Sequence, residues 1–521
     1  NRVFSTLGQP NWLAAYLVAL SPIAMAFALT SMPNAKWPML NNTKRSLLII
    51  VHWSLVILFF LVLLFTRSRS GLLGLAVADV AFWGLVFIRP RLTNRSPQGE
   101  ALQNMRMPFL FLHAAFAVIV FINGSNITQI DKYISLPGLL ASKGEALKGS
   151  PAPAITQAGP ALESGGTESG TIRKYVWQGA INAWKSSTKT LLIGTGTETF
   201  AFAFYQWRPP EHNLTSEWDF LYNKAHNEYL NYLATTGLFG LGSYLLFIGT
   251  FVWWFAKNVH GSWFMVHPDR IGVHGKEKNS SAMNDERTTM NAAVFSGWLS
   301  ILVTNFFGFS VVIAQVFFFL FPAMIFVSSQ KDNRVLIKQL KLPAWGMWLL
   351  TVGGLMVVVR IVSLWYADTL YAAGYRQARA GQFAAANSSM EKAIALNPGE
   401  PVYRDEIANT LTALSVSAFE GQNATLSAQF AKNALTQNDQ AIRISAGNVN
   451  FWKTRTKIYY SLSAFDPLLN DAAITALERA SELSPNDPKV YYNLAILYGR
   501  SGNNDKAVIE LKKTIDLKPN Y

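Results

Sequence analysis

No cysteine occurs among the 521 residues, which removes disulfides, thiolate zinc sites, iron–sulfur clusters and cysteine nucleophiles together. Charge is scarce as well. Only 15% of residues are Asp, Glu, Lys or Arg, against roughly a quarter in an ordinary soluble domain. Acidic residues are the scarcer sign, 31 against 45 basic, which leaves a formal net charge of +14. In a soluble chain that excess would point to nucleic acid. Beside long apolar runs it reads as the basic cytoplasmic loops of a membrane protein, so no nucleic-acid partner is expected and a purely soluble enzyme is excluded. Asp-x-Asp, His-Glu-x-x-His and Gly-x-Ser-x-Gly are absent, and the acidic residues outside the spans are scattered, so neither a metal site nor a cofactor is expected.

What is present is hydrophobic length. A hydrocarbon core about 30 Å thick takes about 20 apolar residues per helix. The runs near 12–31, 46–66, 71–88, 107–124, 229–256, 290–308, 310–329 and 345–366 predict eight spans, the pair 290–308/310–329 being alternatively a re-entrant hairpin. Basic residues crowd the connections 89–106, 257–289 and 330–344, which the positive-inside bias makes cytoplasmic. The long loop 125–228 and everything after 366 then lie outside. The expected fold is all-α: a polytopic transmembrane helix bundle with a large extracytoplasmic loop and a C-terminal α-solenoid. Transmembrane helices are expected over 1–124, the loop over 125–228 with a flexible Gly/Ala/Ser/Pro-rich segment 137–171, helices again over 229–366, and extracytoplasmic repeats over 367–521. The opening Asn-Arg-Val-Phe, with neither Met nor a signal-peptide pattern, reads as a fragment lacking earlier helices.

The tail repeats. Tyr371–Pro398 and Asn493–Pro519 superimpose without gaps, Gly381 on Gly502, Ala386 on Ala507 and Pro398 on Pro519. Pro485 precedes Pro519 by the tetratricopeptide period, and Phe451–Pro485 forms another such helix pair. Three or four repeat units are expected, with a cap or further repeats beyond Tyr521. Such repeats bind protein partners in a concave groove.

The chemistry must come from few groups. His52 and His113 fall within spans, where helix packing is the default role. His260, His267 and His274 lie in a cytoplasmic loop whose spacing is weak evidence for a metal. On the outer side His212 follows Pro209-Pro210-Glu211 in what reads as a flexible polar stretch, whereas His226 stands where the chain re-enters the membrane and is better held. A histidine there, with an ordinary pKa of about 6.5, suits proton abstraction; capping or packing of the helix start is the alternative. Thr66-Arg67-Ser68-Arg69-Ser70-Gly71 breaks the positive-inside pattern with two arginines in a short outer turn, where charge is costly and marks function unless it snorkels to lipid phosphates. Arg173 lies on an amphipathic helix beginning near Thr171, with Ile172, Val176, Ala180 and Ala183 on its stripe. Gly194-Thr195-Gly196 reads as a turn that brings backbone amides near an anion. Arginines suit pyrophosphate and a neutral histidine suits a hydroxyl, so the outer-face set Arg67, Arg69, Arg173 and His226 points to glycosyl transfer from a lipid pyrophosphate.

The same residues carry a resemblance. Leu7-Gly8-Gln9-Pro10-Asn11-Trp12-Leu13-Ala14, the Arg67–Gly71 turn, Arg173 to Trp177 followed by Leu192–Gly196, and His226-Asn227-Glu228-Tyr229-Leu230 with Thr236-Gly237-Leu238 are similar, in order and spacing, to the O-antigen ligase/polymerase superfamily over roughly 1–330. The resemblance implies a multi-pass glycosyltransferase of the bacterial inner membrane, surrounded by membrane lipids, with the loop and repeats periplasmic. Its implied donor is an undecaprenyl-pyrophosphate-linked glycan and its transfer is metal-independent. It implies that His226 is the base and that Arg69 and Arg173 hold the pyrophosphate. Arg67 ranks lower as a binding residue beside them, while Asn11 and Asn227 orient polar groups, Asn227 being equally suited to capping the helix. The acceptor separates three variants: a lipid A-core for a ligase, a growing glycan for a polymerase, a protein side chain for an O-oligosaccharyltransferase. A non-catalytic scaffold that presents the repeats is the reading from a different class. A transporter is weaker, because the spans lack a row of buried acidic residues.

Overall fold

The computed structural model describes residues 3, 5–30, 42–92, 98–125, 127–145, 168–257, 277–329 and 343–521. They are helices and connections, with no strand among the described residues. The chain divides into two compact units: residues 1–166, 191–194 and 224–333 form the first, and 167–190, 195–223 and 334–521 the second.

The first unit begins with α1 (Pro10–Thr30), α2 (Asn42–Thr66), α3 (Arg69–Leu92) and α4 (Gln98–Asn123), followed by the short α5 (Thr128–Ile134) and α6 (Leu136–Glu145). Seven helices among the described residues are long and apolar enough to cross a membrane: Pro10–Thr30, Leu47–Thr66, Arg69–Ile88, Arg106–Asn123, Glu228–Phe255, Val312–Ser329 and Ala344–Arg379. The eighth expected run, 290–308, falls mostly in helix Glu277–Phe306, which is more polar because it lies at the centre of the unit. Ala292, Ala293, Val294, Trp298 and Ile301 are buried there together with Asn291, Ser296, Ser300, Thr304 and Asn305. Its hydroxyls return to the helix's own carbonyls, Ser296 to Ala292 at 2.8 Å and Ser300 to Gly297 at 2.6 Å, so the helix buries them satisfied. Small residues let the centre close. A Cβ at Gly297 would sit 2.2 Å from the Ala19 carbonyl oxygen, and one at Gly71 would sit 2.7 Å from the Ala14 Cβ; both glycines permit the close backbone approach that drives packing in lipid. Around them Trp298, Phe318, Phe251 and Phe295 form an aromatic core, the Trp298 indole donating to the Phe318 carbonyl at 2.9 Å. Within the spans the His113 Nε2 lies 2.9 Å from an Asp79 carboxylate oxygen, and His52 stacks on Phe27; both histidines pack helices.

Of the stretch 137–171 expected to be flexible, 137–145 and 168–171 are helical and 146–167 lie outside the described residues. His260, His267 and His274 also lie outside them, as do most of the basic connections on which sidedness rests.

The second unit holds α7 (Glu168–Lys185), the start of α8 (Thr188–Ile193), α9 (Phe200–Trp207), a 3-10 turn at Pro210–Leu214, and the repeats. The expected stripe is the buried one: Ile172, Val176, Ala180 and Ala183 all face inward. α9 packs on it where Gly179 lacks a side chain, since a Cβ there would lie 2.7 Å from the Phe204 ring. The 36-residue helix Ala344–Arg379 exposes its apolar first half, including Trp345, Trp348 and Val357, and runs unbroken into the first repeat. Helix pairs follow: Ala344–Arg379 with Phe383–Leu396, Pro401–Glu420 with Ala424–Ile444, Val449–Leu462 with Leu469–Leu483, and Pro488–Arg500 with Asn504–Leu517. The two glycines that superimpose in sequence, Gly381 and Gly502, both turn at left-handed φ, +75° and +76°, a conformation glycine adopts freely. Ala386 and Ala507 are both buried beneath their turns.

Candidate active site

The arginine turn of the first unit is two residues long. α2 ends at Thr66 and α3 begins at Arg69. Thr66 Oγ1 donates to the Leu63 carbonyl at 2.6 Å and accepts the Ser68 amide at 3.2 Å, and Ser68 Oγ accepts the Gly71 amide at 3.2 Å. Both hydroxyl residues are buried while Arg67 and Arg69 are exposed. Arg67 adopts φ +53°, a left-handed conformation that costs a non-glycine residue about 1–2 kcal/mol and is held by the buried threonine and serine on either side. Two guanidinium groups thus stand beside the amide end of α3, where the helix dipole favours an anion.

At the start of α10 (Glu228–Phe255) the chain makes a second left-handed turn, with His226 at φ +53°. The half-buried imidazole meets the Phe309 ring edge-on, centroids 5.2 Å apart, and Phe309 in turn meets Trp12 at 6.3 Å. Trp12 follows the half-buried Asn11 at the start of α1. Since Ala14, one turn on, packs where Gly71 has no side chain, this contact series brings Asn11, the arginine turn and His226 to one end of the first unit. Asn227 is the helix cap: its Oδ1 accepts the Leu230 amide at 3.0 Å and its side chain is buried.

Sequence reasoning assigned no role to the carboxylate beside it. Glu228 is buried, and its two oxygens accept the Ser310 amide at 3.1 Å and the Gln315 amide group at 3.4 Å. Ser310 Oγ donates to Asn305 Oδ1 at 3.3 Å, and the Asn305 amide group donates to the Tyr244 hydroxyl at 3.4 Å. The signal was present as isolated amides, Asn305 and Gln315, inside otherwise apolar spans. The Gly194 turn also has a mechanical use. A Cβ at Gly194 would lie 2.2 Å from the Thr235 carbonyl carbon, and one at Gly237 would lie 2.3 Å from that of Leu192. Residues 191–194 therefore lie against the kink of α10, where Gly237 leaves helical geometry at φ +64°.

Arg173 belongs to the second unit. It is half-buried; desolvation pushes its pKa down while the Glu217 carboxylate pulls it up, and Tyr222 donates to that carboxylate. His212 departs from expectation. Far from lying in a flexible stretch, it is fully buried between the rings of Phe204, 5.4 Å away, and Tyr222, 5.3 Å away, with no hydrogen-bond partner at either nitrogen among the described residues. Burial, with a smaller contribution from Arg208, pushes its pKa down to about 4, so it stays neutral. The aromatic residues upstream were the signal: α9 seals it.

The loop and the repeats meet within this unit through polar contacts. Arg208 donates to the carbonyls of Trp218 at 2.8 Å and Asn486 at 3.0 Å, and the Asn486 amide group returns a bond to the Arg208 carbonyl at 2.7 Å. Asn213 donates to the Asn486 carbonyl at 2.9 Å, and Lys518 Nζ donates to the Asn213 carbonyl at 2.9 Å. Lys489 pairs with Asp219 at 2.5 Å. Among the described residues no group of three or more His, Asp or Glu is placed to hold a metal ion.

Residues 54–245 match the model of the O-antigen ligase family. The chain carries an O-antigen ligase domain. That ligase domain contains Arg67, Arg69, Arg173, His226 and Asn227, while Asn11 lies outside the matched span, which is narrower than the resemblance over 1–330. Residues 470–502 and 488–521 match tetratricopeptide repeat models. The match supports, at the level of the family, a membrane glycan-transferring ligase, joined here to seven helices able to cross a membrane and to C-terminal repeats. No curated protein matches the chain. Among solved structures the APC/C hetero-tetramer Cut9-Hcn1 is similar over 92% of this chain and 93% of its own, at 14% identity and a TM-score of 0.24, too low to argue a shared arrangement.

Proposed function

We propose that the protein transfers a glycan from an undecaprenyl-pyrophosphate carrier to an acceptor hydroxyl on the outer face of the bacterial inner membrane. His226 acts as general base, taking the acceptor proton as the hydroxyl oxygen bonds to the anomeric carbon. Arg69, with Arg67 beside it, stabilises the charge that develops on the departing pyrophosphate; Arg173 shares that role on the motif match alone. Asn11 orients polar groups of the substrate. Asn227 fixes the backbone at the base. The observation that carries the reading is the pair of non-glycine left-handed turns, at Arg67 and His226, which present a cation and an imidazole at one end of the first unit within the family match.

The test is transfer of a labelled glycan from an undecaprenyl-pyrophosphate donor to cell-envelope extract, with chelator throughout. Wild type should give product, and His226→Ala and Arg69→Ala should not. The product names the acceptor: lipid A-core, a lengthened glycan, or protein. Equal transfer by wild type and His226→Ala would overturn the assignment of the base.

A further inference from the structure

Within the second unit the helix pairs line an open cavity of about 670 Å³. Its lining is polar, and much of its hydrogen-bonding capacity is unused. Asp405 is engaged: Thr454 Oγ1 donates to it at 2.9 Å and the Asn438 amide group at 3.3 Å. Lys453 is engaged too, with Asp487 at 2.6 Å. The Glu406 carboxylate, the Lys457 ammonium and the Asn450 side-chain amide line the same cavity; none of the three side chains makes a hydrogen bond among the described residues, and Glu406 interacts with Lys457 and Arg379 through charge alone. Asn409 keeps its amide oxygen free for a ligand while its NH2 donates to the Asp405 carbonyl at 3.1 Å. Arg379 closes one side, and Phe383 is the one large apolar side chain of the lining.

The chemistry of this set narrows its ligand. Glu406 faces Lys457 and Arg379, and Lys453 is taken up by Asp487, so the cavity offers a polyanion no cluster of unopposed cations. Peptides anchor mainly by burying aromatic or aliphatic side chains in dry pockets, which a lining of alanines and one phenylalanine does not provide. Sugar hydroxyls each donate and accept, and so match carboxylate and amide oxygens set beside amide and ammonium hydrogens, while the apolar face of a pyranose covers a single aromatic ring. We propose that this cavity binds an oligosaccharide stretch of the glycan that the ligase domain transfers. The repeats then hold the glycan. This inference rests on the glycan-transferring reading for its ligand but not for its measurement.

The experiment is equilibrium binding to full-length protein in detergent, by saturation-transfer NMR. The probe is glycan released with mild acid from the cell's lipid-linked pool, tested against a mixed-sequence peptide pool. Wild type and His226→Ala should bind the glycan equally. Glu406→Gln with Asn450→Ala should weaken binding at least tenfold, and Lys457→Met alone several-fold, with the melting temperature unchanged. No glycan binding by wild type, equal binding by all variants, or displacement of the glycan by the peptide pool would each overturn the proposal. None of those results bears on transfer, so loss of transfer in His226→Ala beside absent glycan binding would sink the cavity and leave the ligase reading standing.

Discussion

His226 and His212 stand on the same loop and have opposite surroundings. His226 is half-buried on a left-handed turn, with the Phe309 ring edge-on to it and a capped helix behind it. His212 is sealed between two rings and has no partner at either nitrogen among the described residues. A base must exchange a proton with substrate, so a neutral, enclosed imidazole is unsuited to the work whatever its distance from the membrane. The comparison teaches that enclosure, more than position along the loop, separates the two.

The sharpest way to break the comparison is to exchange losses. His226→Ala should lower transfer by about 10²-fold or more, whereas His212→Leu should leave it within two-fold, as measured in the same membranes. Equal losses would erase the distinction. A stability effect comes next. Arg208→Ala removes the donor to the Trp218 carbonyl and leaves the Asn486 carbonyl with Asn213 alone, so the second unit should lose about 1–3 kcal/mol, read as a lowered melting temperature.

Smaller effects follow from pH. The pKa of His212 is lowered on folding to about 4, so the stability tied to its neutral form is complete above pH 6.5 and is lost as pH falls from 6.5 toward 4. Asp405 works the other way. Burial raises it to about 7, so its contribution is complete below about 3.8 and is lost as pH rises toward 7. His212→Leu should therefore flatten the fall in melting temperature of the second unit below pH 6.5, and Asp405→Asn should flatten the fall between pH 4 and 7. The smallest effect expected is at the cap: Asn227→Ala should cost about 1 kcal/mol and lower transfer by displacing His226, which follow-up kinetics would separate from unfolding.

Much of this architecture was legible. Spans appear as apolar runs because lipid demands them, and the repeats appear because Gly381 and Gly502, or Ala386 and Ala507, must do the same job in each unit. The central helix Glu277–Phe306 was harder to read, since a helix surrounded by other helices tolerates Ser, Thr and Asn that a lipid-facing one does not. His212 was misread because its seal is made by Phe204 and Tyr222 through folding of the loop. The attachment of the loop to the repeats was invisible, since Arg208 and Asn486 are joined by carbonyls, which no side-chain pattern records. At the candidate site the motif residues were legible one by one, but the left-handed turns and the Glu228 network depend on packing.

The account turns on one measurement: chelator-resistant transfer of labelled glycan by wild type, His226→Ala and His212→Leu at matched protein levels. The expected result is product from wild type and His212→Leu and about 10²-fold less from His226→Ala. Undiminished product from His226→Ala would contradict it.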